Sequence, residues 1–336
     1  MATDSVTTQV GGRLLGQGVY GCTFDPAPRC ADGRSIQQIG DLHAVGKVTA
    51  DDSDDELSIG KKVMALPLAA QYFALPTIGC EPAMPIDDPD VKQCKVIMKP
   101  RKHDRFSMLI MPGGGQSLKQ YAYDHVRMTD HFKQIFIHIL EGAAIYQNAG
   151  YIHNDIHPGN ILVDHSNVAR FIDFGLAFNL NDIRTWKDTN LGLRFRPKYL
   201  YQAPEIHAFR AKLNGISANV VARELYDYHS EYKRMETYYF TSRPTAITSI
   251  SRIMNHEHYM DSMAFIQKYG KKIDAWRIGL CMWMIWDDLM YWIPFRQTGL
   301  YAEKRLILQV LGGLTDFHPR TRISIEDALA LLTAKA

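Results

Sequence analysis

The sequence carries almost no net charge: 38 Lys and Arg stand against 36 Asp and Glu, a formal +2 over 336 residues. A field that weak does not argue for nucleic acid or an anionic membrane as a partner. Long apolar runs are missing as well. Leu280–Trp286 falls short of the roughly 18 residues that a spanning helix needs, and it runs straight into Asp287 and Asp288. The stretch from Met1 to Val10 has neither a basic region nor an apolar core, so no secretory signal is expected. Cysteine is scarce and odd in number, five in all, which fits free thiols in an intracellular, cytoplasmic setting better than a disulfide framework. Cys22, Cys30, Cys80 and Cys94 form no C-x2-C pair of the kind that holds structural zinc. Repeats and low-complexity tracts are also lacking. What is present is 46% apolar and 22% charged residues, enough for a sizeable core, over a length that implies two lobes.

The two lobes read differently. Gly11–Phe24 alternates small, apolar and polar residues around glycines, as in two strands joined by a tight turn. Leu42–Val48 reads as a strand, Ser53–Leu66 as a helix, residues 79–104 as a loop insertion, and Phe106–Met111 as a strand. Beyond about residue 117 the periodicity turns helical. Phe132, Ile135, Phe136, Ile139, Leu140 and Ala143 form a core-facing stripe, with Thr129 expected as N-cap and Gly150 as stop. Helices are expected at Ala275–Leu289, at Ala302–Leu311 and after Ser324, where Ser324 and Asp327 can form a capping pair. The expected fold class is α+β and bilobal: a small β-rich lobe over 1–112 and a larger α-helical lobe over 113–336.

Several residues carry chemistry. Gly16-Gln17-Gly18-Val19-Tyr20-Gly21 is a G-x-G-x-x-G run between two strands, either a plain hairpin turn or a loop whose backbone N–H groups approach phosphate oxygens. Lys47, flanked by apolar residues, either points to solvent from a strand edge or neutralises phosphates inside a cleft. In the second case it needs an orienting carboxylate, and Glu56 is the candidate among the acidic run Asp51, Asp52, Asp54 and Asp55. Gly60, inside that helix, costs roughly 1 kcal/mol relative to Ala. The strongest constellation is His153-Asn154-Asp155-Ile156-His157-Pro158-Gly159-Asn160 followed by Asp173-Phe174-Gly175. Phosphoryl transfer needs one carboxylate to orient or deprotonate the attacking hydroxyl, a role for Asp155. It needs oxygen ligands that hold Mg²⁺ against the phosphates, a role for Asn160 and Asp173.

On these residues the chain resembles eukaryotic-type protein kinases. Gly16, Gly18 and Gly21 match the Gly-rich loop, Lys47 the ATP-orienting lysine, and Glu56 its helix partner. Met111 falls in the segment Met108–Gly113, where adenine would be contacted. His153–Asn160 resembles the catalytic loop and Asp173-Phe174-Gly175 the metal-binding motif. Ala203-Pro204-Glu205 matches the end of the activation segment, Asp274-Ala275-Trp276-Arg277-Ile278-Gly279 the D-x-W-x-x-G helix, and Arg322 the late partner of Glu205. Gly21–Cys30 is similar to kinases encoded by large DNA viruses. The resemblance implies ATP and Mg²⁺ as cofactors and transfer to a protein Ser or Thr hydroxyl, with a protein substrate as partner, no nucleic acid and no membrane. Oligomeric state is left open, and a viral origin would extend the location to host cytoplasm or virion.

The departures from the pattern matter. Asn154 stands where many kinases carry an arginine that binds a phosphorylated activation segment, which argues against phosphorylation-dependent switching. His157 stands where Ser/Thr kinases place lysine, and its Pro158-Gly159 context is similar to small-molecule phosphotransferases of the aminoglycoside and choline kinase type. Lys198 replaces the threonine expected ahead of Tyr201, and Thr23 the apolar residue that caps adenine. Residues 206–270 read as an insertion, either a helical elaboration of the large lobe or a docking element. A small-molecule kinase and a catalytically silent pseudokinase are therefore the alternative readings.

Overall fold

The side chains of one strand alternate between two different environments, and this organises the first part of the molecule. The computed structural model describes residues 12–18, 21–50, 53–83, 89–98, 106–184, 195–255 and 262–334, so Val19, Tyr20, Asp51 and Asp52 lie outside the described residues. Two compact units result, Met1–Gly114 and Gly115–Ala336. In the first, β1 (Arg13–Gln17), β2 (Gly21–Asp25), β3 (Gln38–Ile39) and β4 (Leu42–Thr49) precede α1 (Asp54–Met64) and α2 (Ala69–Tyr72). They are followed by β5 (Ile78–Cys80), α3 (Pro89–Lys92), α4 (Lys95–Met98) and β6 (Ser107–Pro112). The strands form an antiparallel sheet in the order β1-β2-β4-β6-β5, with β3 paired to β4. The expected strands and the helix α1 are therefore present, each within a residue or two of its expected ends. Strand β4 is central.

The two faces of β4 have separate cores. Ala44 and Val48 join Cys22, Phe24, Met108 and Ile110 on one side. Val45, with Leu109 and Met111, lies on the other, where Leu57 of α1 packs. Within 79–104, expected to be a loop insertion, the described residues instead supply a layer over the first face: Val91 of α3, Val96 of α4 and Cys94 between them are part of that core. Two disulfides fasten this layer, Cys22–Cys94 and Cys30–Cys80, with Cα–Cα distances of 6.0 and 5.8 Å. The expectation of free thiols is thus corrected for four of the five cysteines; only Cys281, buried in the second unit, is unpaired. The reason is spatial. β2 and β5 bring residues 72 and 50 positions apart in sequence within bridging range. Loops of that length make each bridge worth about 4 kcal/mol in the chain-entropy account. The cysteine count therefore no longer argues for a reducing compartment.

The second unit begins with β7 (Gln116–Ser117), α5 (Leu118–Tyr121) and α6 (His125–Asn148), then β8 (Tyr151–Ile152), β9 (Ile161–Val163), β10 (Ala169–Phe171) and β11 (Phe178–Asn179). The helices α7 (Pro204–Leu213), α8 (Ala218–Tyr228), α9 (Ser230–Thr237), α10 (Arg243–Asn255) and α11 (Ser262–Tyr291) follow. A short 3-10 turn (Ile293–Gln297) leads to α12 (Gly299–Ala302), α13 (Lys304–Leu314) and α14 (Ile325–Thr333). The stripe on α6 is buried as its periodicity requires, and Gly150 ends the helix at φ +88°. Its N-cap is Asp124 rather than Thr129: the Asp124 carboxylate accepts the Arg127 amide, and Thr129 is buried one turn inside. The helix expected at Ala275–Leu289 begins 13 residues earlier, at Ser262, because Phe265, Ile266, Tyr269 and Ile273 extend the buried surface. The expected Ala302–Leu311 helix is broken at Glu303 into α12 and α13. Ser324 and Asp327 form the expected capping box on α14.

α11 is the spine of this unit. Trp276, Trp283 and Trp286 are fully buried, and Trp286 meets Phe132 of α6 edge-on at 5.7 Å. The described residues of the insertion, 206–255 and 262–270, are mainly helical, and the Tyr232 ring of α9 lies 5.8, 6.2 and 5.5 Å from those of Tyr226, Trp276 and Phe317. No described helix is long and apolar enough to cross a membrane.

Gly60 shows how packing overrides propensity. A Cβ there would stand 2.3 Å from the Pro76 carbonyl oxygen. Helix propensity alone gives Gly60→Ala about 1 kcal/mol of added stability; the clash reverses the sign, because forced overpacking costs about 1–3 kcal/mol. Thermal unfolding of Gly60→Ala is expected to show a lower Tm, and an unchanged or higher Tm would contradict this packing.

Candidate active site

In the first unit the three motif glycines are not equivalent. Gly18 N–H donates to the Gly21 carbonyl at 2.8 Å and closes the β1–β2 turn. A Cβ at Gly21 would lie 2.4 Å from the Val48 carbonyl oxygen, so this glycine serves the close pairing of β2 with β4. Around Gly16 there is open space, and at Gly18 the nearest atom is 3.9 Å away. Among the described residues, packing does not require glycine at either position.

Lys47 pairs across the sheet with Thr23 of β2 and Leu109 of β6, so it is not an edge residue. Its Nζ lies 2.9 Å from both carboxylate oxygens of Glu56, and both side chains are mostly buried. Glu56 is in the first turn of α1, so the helix places the carboxylate over the sheet face that Lys47 shares with Val45 and Met111. Met111 is 7% exposed and packs with Val45 and Leu109. Lys47, Glu56 and Met111 are thus brought onto one face.

The second unit holds His153–Asn160 and Asp173, the residues expected to form a catalytic loop and its metal-binding turn. Asp274 of α11, fully buried, accepts the backbone N–H groups of His153 and Asn154 at 2.8 and 3.0 Å and the Tyr146 hydroxyl at 2.9 Å. His153 Nε2–H donates to the Ile172 carbonyl at 3.0 Å, tying the loop to the strand that delivers Asp173. The Ile172 N–H returns a bond to the Asn160 carbonyl. Asn160 Nδ2 donates to the Asp155 carbonyl and carboxylate at 2.9 and 3.3 Å. Its Oδ1 has no hydrogen-bond partner among the described residues. That oxygen and the Asp173 carboxylate are hard donors, which fits Mg²⁺ completed by water and phosphate oxygens; among the described residues no larger metal-binding cluster exists. Asn154 and Asp173 both adopt left-handed backbone, φ +59° and +61°, a conformation that costs about 1–3 kcal/mol in a non-glycine residue and is held by the surrounding bonds. Phe174 is buried against His153 and Tyr146, with ring centroids 4.3 and 5.6 Å apart.

Charge around Asp155 is set by burial. Desolvation lowers the His157 pKa, against the pull of the Asp155 and Asp173 charges, so the ring at this position is neutral near pH 7. Its Nδ1 accepts the Gly159 N–H at 3.0 Å. Glu205 and Arg322 form the expected pair, bidentate at 2.7 and 2.8 Å and fully buried. Two residues escaped sequence reasoning. The Tyr199 hydroxyl donates to the Asp155 carboxylate, and Arg277 of α11 lies 3.5 Å from the same oxygen. Burial raises the Tyr199 pKa to about 12, so it remains a donor at working pH. The one available signal was Arg277 itself, the only charge between Trp276 and Trp286.

Residues 88–224 match the family model described as the protein kinase domain. This stretch includes Asp155, Asn160, Asp173 and Glu205 but not the Gly-rich turn or Lys47. The chain is 35% identical over 105 residues to mitogen-activated protein kinase kinase kinase 5 of Arabidopsis thaliana, covering 31% of this chain and 14% of that protein. It is 29% identical over 214 residues to mitogen-activated protein kinase spm1 of Schizosaccharomyces pombe, covering 60% and 45%. A third relative is serine/threonine-protein kinase CBK1 of Candida albicans, 26% identical over 160 residues, covering 47% and 20%. The chain spans less than half the length of each of these relatives. The fold class is the α+β protein-kinase type, with a β-rich first unit and a helical second unit.

Burial also governs acid stability in this unit. Desolvation lowers the pKa of His138, His157, His207 and His318, that of His207 to about 3. The unfolded chain takes up these protons near pH 6.5 while the folded chain refuses them, so stability is fully present above pH 6.5 and falls as pH drops. For His207 the loss extends down to about pH 3. Urea unfolding across pH 6 to 4 is expected to show His207→Leu with a slope smaller by about 1.4 kcal/mol per pH unit; an unchanged slope would contradict a neutral buried His207.

Proposed function

We propose that this chain is an ATP-dependent protein kinase that transfers the γ-phosphoryl group to a Ser or Thr hydroxyl. The observation that carries this reading is the Asp155 carboxylate, fixed by Asn160 in a loop whose backbone hangs from Asp274. Asp155 orients the acceptor hydroxyl and takes its proton. Lys47, held by Glu56, neutralises the α- and β-phosphates, while the backbone at Gly16 and Gly18 meets phosphate oxygens. Asn160 and Asp173 hold Mg²⁺, which when bound offsets charge on the phosphates. Met111 lines the adenine side. Asp155, Lys47, Asn160 and Asp173 are all retained, which weighs against a silent pseudokinase.

The acceptor class is supported by the Glu205–Arg322 pair, which anchors the start of α7 directly after the segment that receives peptide in kinases. The serine/threonine names of several relatives agree with that choice. His157-Pro158-Gly159 favours the second reading, a small-molecule acceptor. The likeness of Gly21–Cys30 to kinases of large DNA viruses belongs to the same proposal and rests on that stretch alone.

The test is incubation with labelled ATP and Mg²⁺, offering casein alongside a panel of sugars and amino alcohols. Label on casein Ser or Thr is expected, and Asp155→Ala is expected to lower the rate by about 10²–10⁴-fold without loss of fold. Label confined to a small molecule would replace the acceptor, and a variant as fast as the unmodified protein would remove Asp155 from its role.

A further inference from the structure

We infer that Arg277 is a positioning residue that holds Asp155 and the segment Pro197–Gln202 in place without a phosphorylated residue, an inference that rests on the phosphotransferase reading of the Asp155 loop. Asn154 supplies no cation at the catalytic loop, yet a cation is there. It reaches the loop from α11, where Arg277 is 1% exposed. A guanidinium buried in an otherwise apolar run is costly unless it meets an anion or satisfied acceptors. Arg277 has four such contacts, and each goes to one of two places. Nη1 lies 3.5 Å from the Asp155 carboxylate and 3.3 Å from the Tyr199 hydroxyl. Nη2 lies 3.4 Å from Asn154 Oδ1 and 3.5 Å from Gln202 Oε1. The catalytic loop and the segment ahead of α7 therefore share one cation, and Tyr199 closes the triangle by donating to Asp155.

The same segment is braced from its other side by the insertion. His229, at the α8–α9 junction, donates from Nε2 to the Pro197 carbonyl at 2.6 Å. Lys198, in the position where a threonine was expected, sits over the Tyr228 ring at 5.1 Å. The Tyr232 hydroxyl donates to the Leu200 carbonyl at 3.4 Å. What a phosphate and its arginine do elsewhere by ordering such a segment, a buried arginine and packed helices do here in the unmodified chain. Arg196 and Arg210 are also close enough to act on each other's charge, Arg210 being lowered to about 10 chiefly by burial and then by Arg277 and Arg196. A phosphate-binding role for this basic group is the rival account.

The test pairs kinetics with hydrogen exchange on the 336-residue chain, before and after phosphatase treatment. With labelled ATP and casein, Arg277→Met is expected to lower kcat roughly 100-fold, the scale of a misplaced reacting group, with KM for ATP within about twofold. Arg277→Lys keeps the charge but not the fork geometry and is expected to recover at least about tenfold of that loss. Tyr199→Phe, which keeps the ring and removes the bridging hydroxyl, is expected to lower kcat about tenfold and stands in should Arg277→Met not fold. Amides of 199–202 are expected to exchange at least about tenfold faster in Arg277→Met while those of α14 keep their protection. Phosphatase treatment is expected to leave the unmodified protein's rate unchanged. Unmodified kcat in both Arg277→Met and Tyr199→Phe, unaltered exchange at 199–202, or abolition of activity by phosphatase would each overturn the inference. If no acceptor is labelled by the unmodified protein, the phosphotransferase reading fails, and the exchange data alone decide the positioning role.

Discussion

One buried carboxylate sets the geometry on which the rest of the second unit depends. Asp274 has no access to water and meets three donors: the consecutive backbone N–H groups of His153 and Asn154 and the Tyr146 hydroxyl. A buried carboxylate without such partners would be strongly unfavourable, so the loop and the helix α11 must fold together or not at all. From that anchor the order propagates outward. His153 passes it to the strand before Asp173, Asn160 passes it to Asp155, and Phe174 is fixed between His153 and Tyr146. α11 contributes again one turn later, where Arg277 meets the other side of the same loop. A single helix thus both suspends the loop and supplies its buried cation.

The first unit is organised by a division of labour between the faces of β4. One face carries the Lys47–Glu56 pair, bordered by Val45 and Met111. The other carries the apolar core and the layer that two disulfides fasten. Because side chains alternate along a strand, a shift of one residue would put Lys47 into the apolar core. Close approach of β2 at Gly21 and of Pro76 at Gly60 fixes that register and the seat of α1.

What could be read from the sequence followed from how far apart the interacting residues are. The constellation at 153–160, the Asp173 turn and the stripe on α6 are local, so residue type and spacing carry them. The strands around the Gly-rich turn were legible for the same reason. Asp274 to His153 and Asn154 spans about 120 positions, and no spacing rule reaches that far; the motif resemblance alone marked Asp274. Arg277 fills an unspecified position of the D-x-W-x-x-G stretch and Tyr199 lies in none of the matched motifs, so resemblance assigned neither a role. The cysteines misled because count and spacing report on compartment only by association, whereas pairing depends on which Cα atoms the fold brings within about 6 Å. The segment 79–104 read as a loop because its prolines and charges hid two short helices whose apolar residues face the sheet.

Hydrogen exchange at the His153 and Asn154 amides tests the central role of Asp274 most directly. Both are expected to be protected to the level of the α11 core, and Asp274→Asn, which can accept only one of the two N–H groups, is expected to speed their exchange by about 5- to 150-fold, the equivalent of about 1–3 kcal/mol for an orphaned buried donor. Amides that exchange in the unmodified protein as freely as those of an exposed loop would contradict the account.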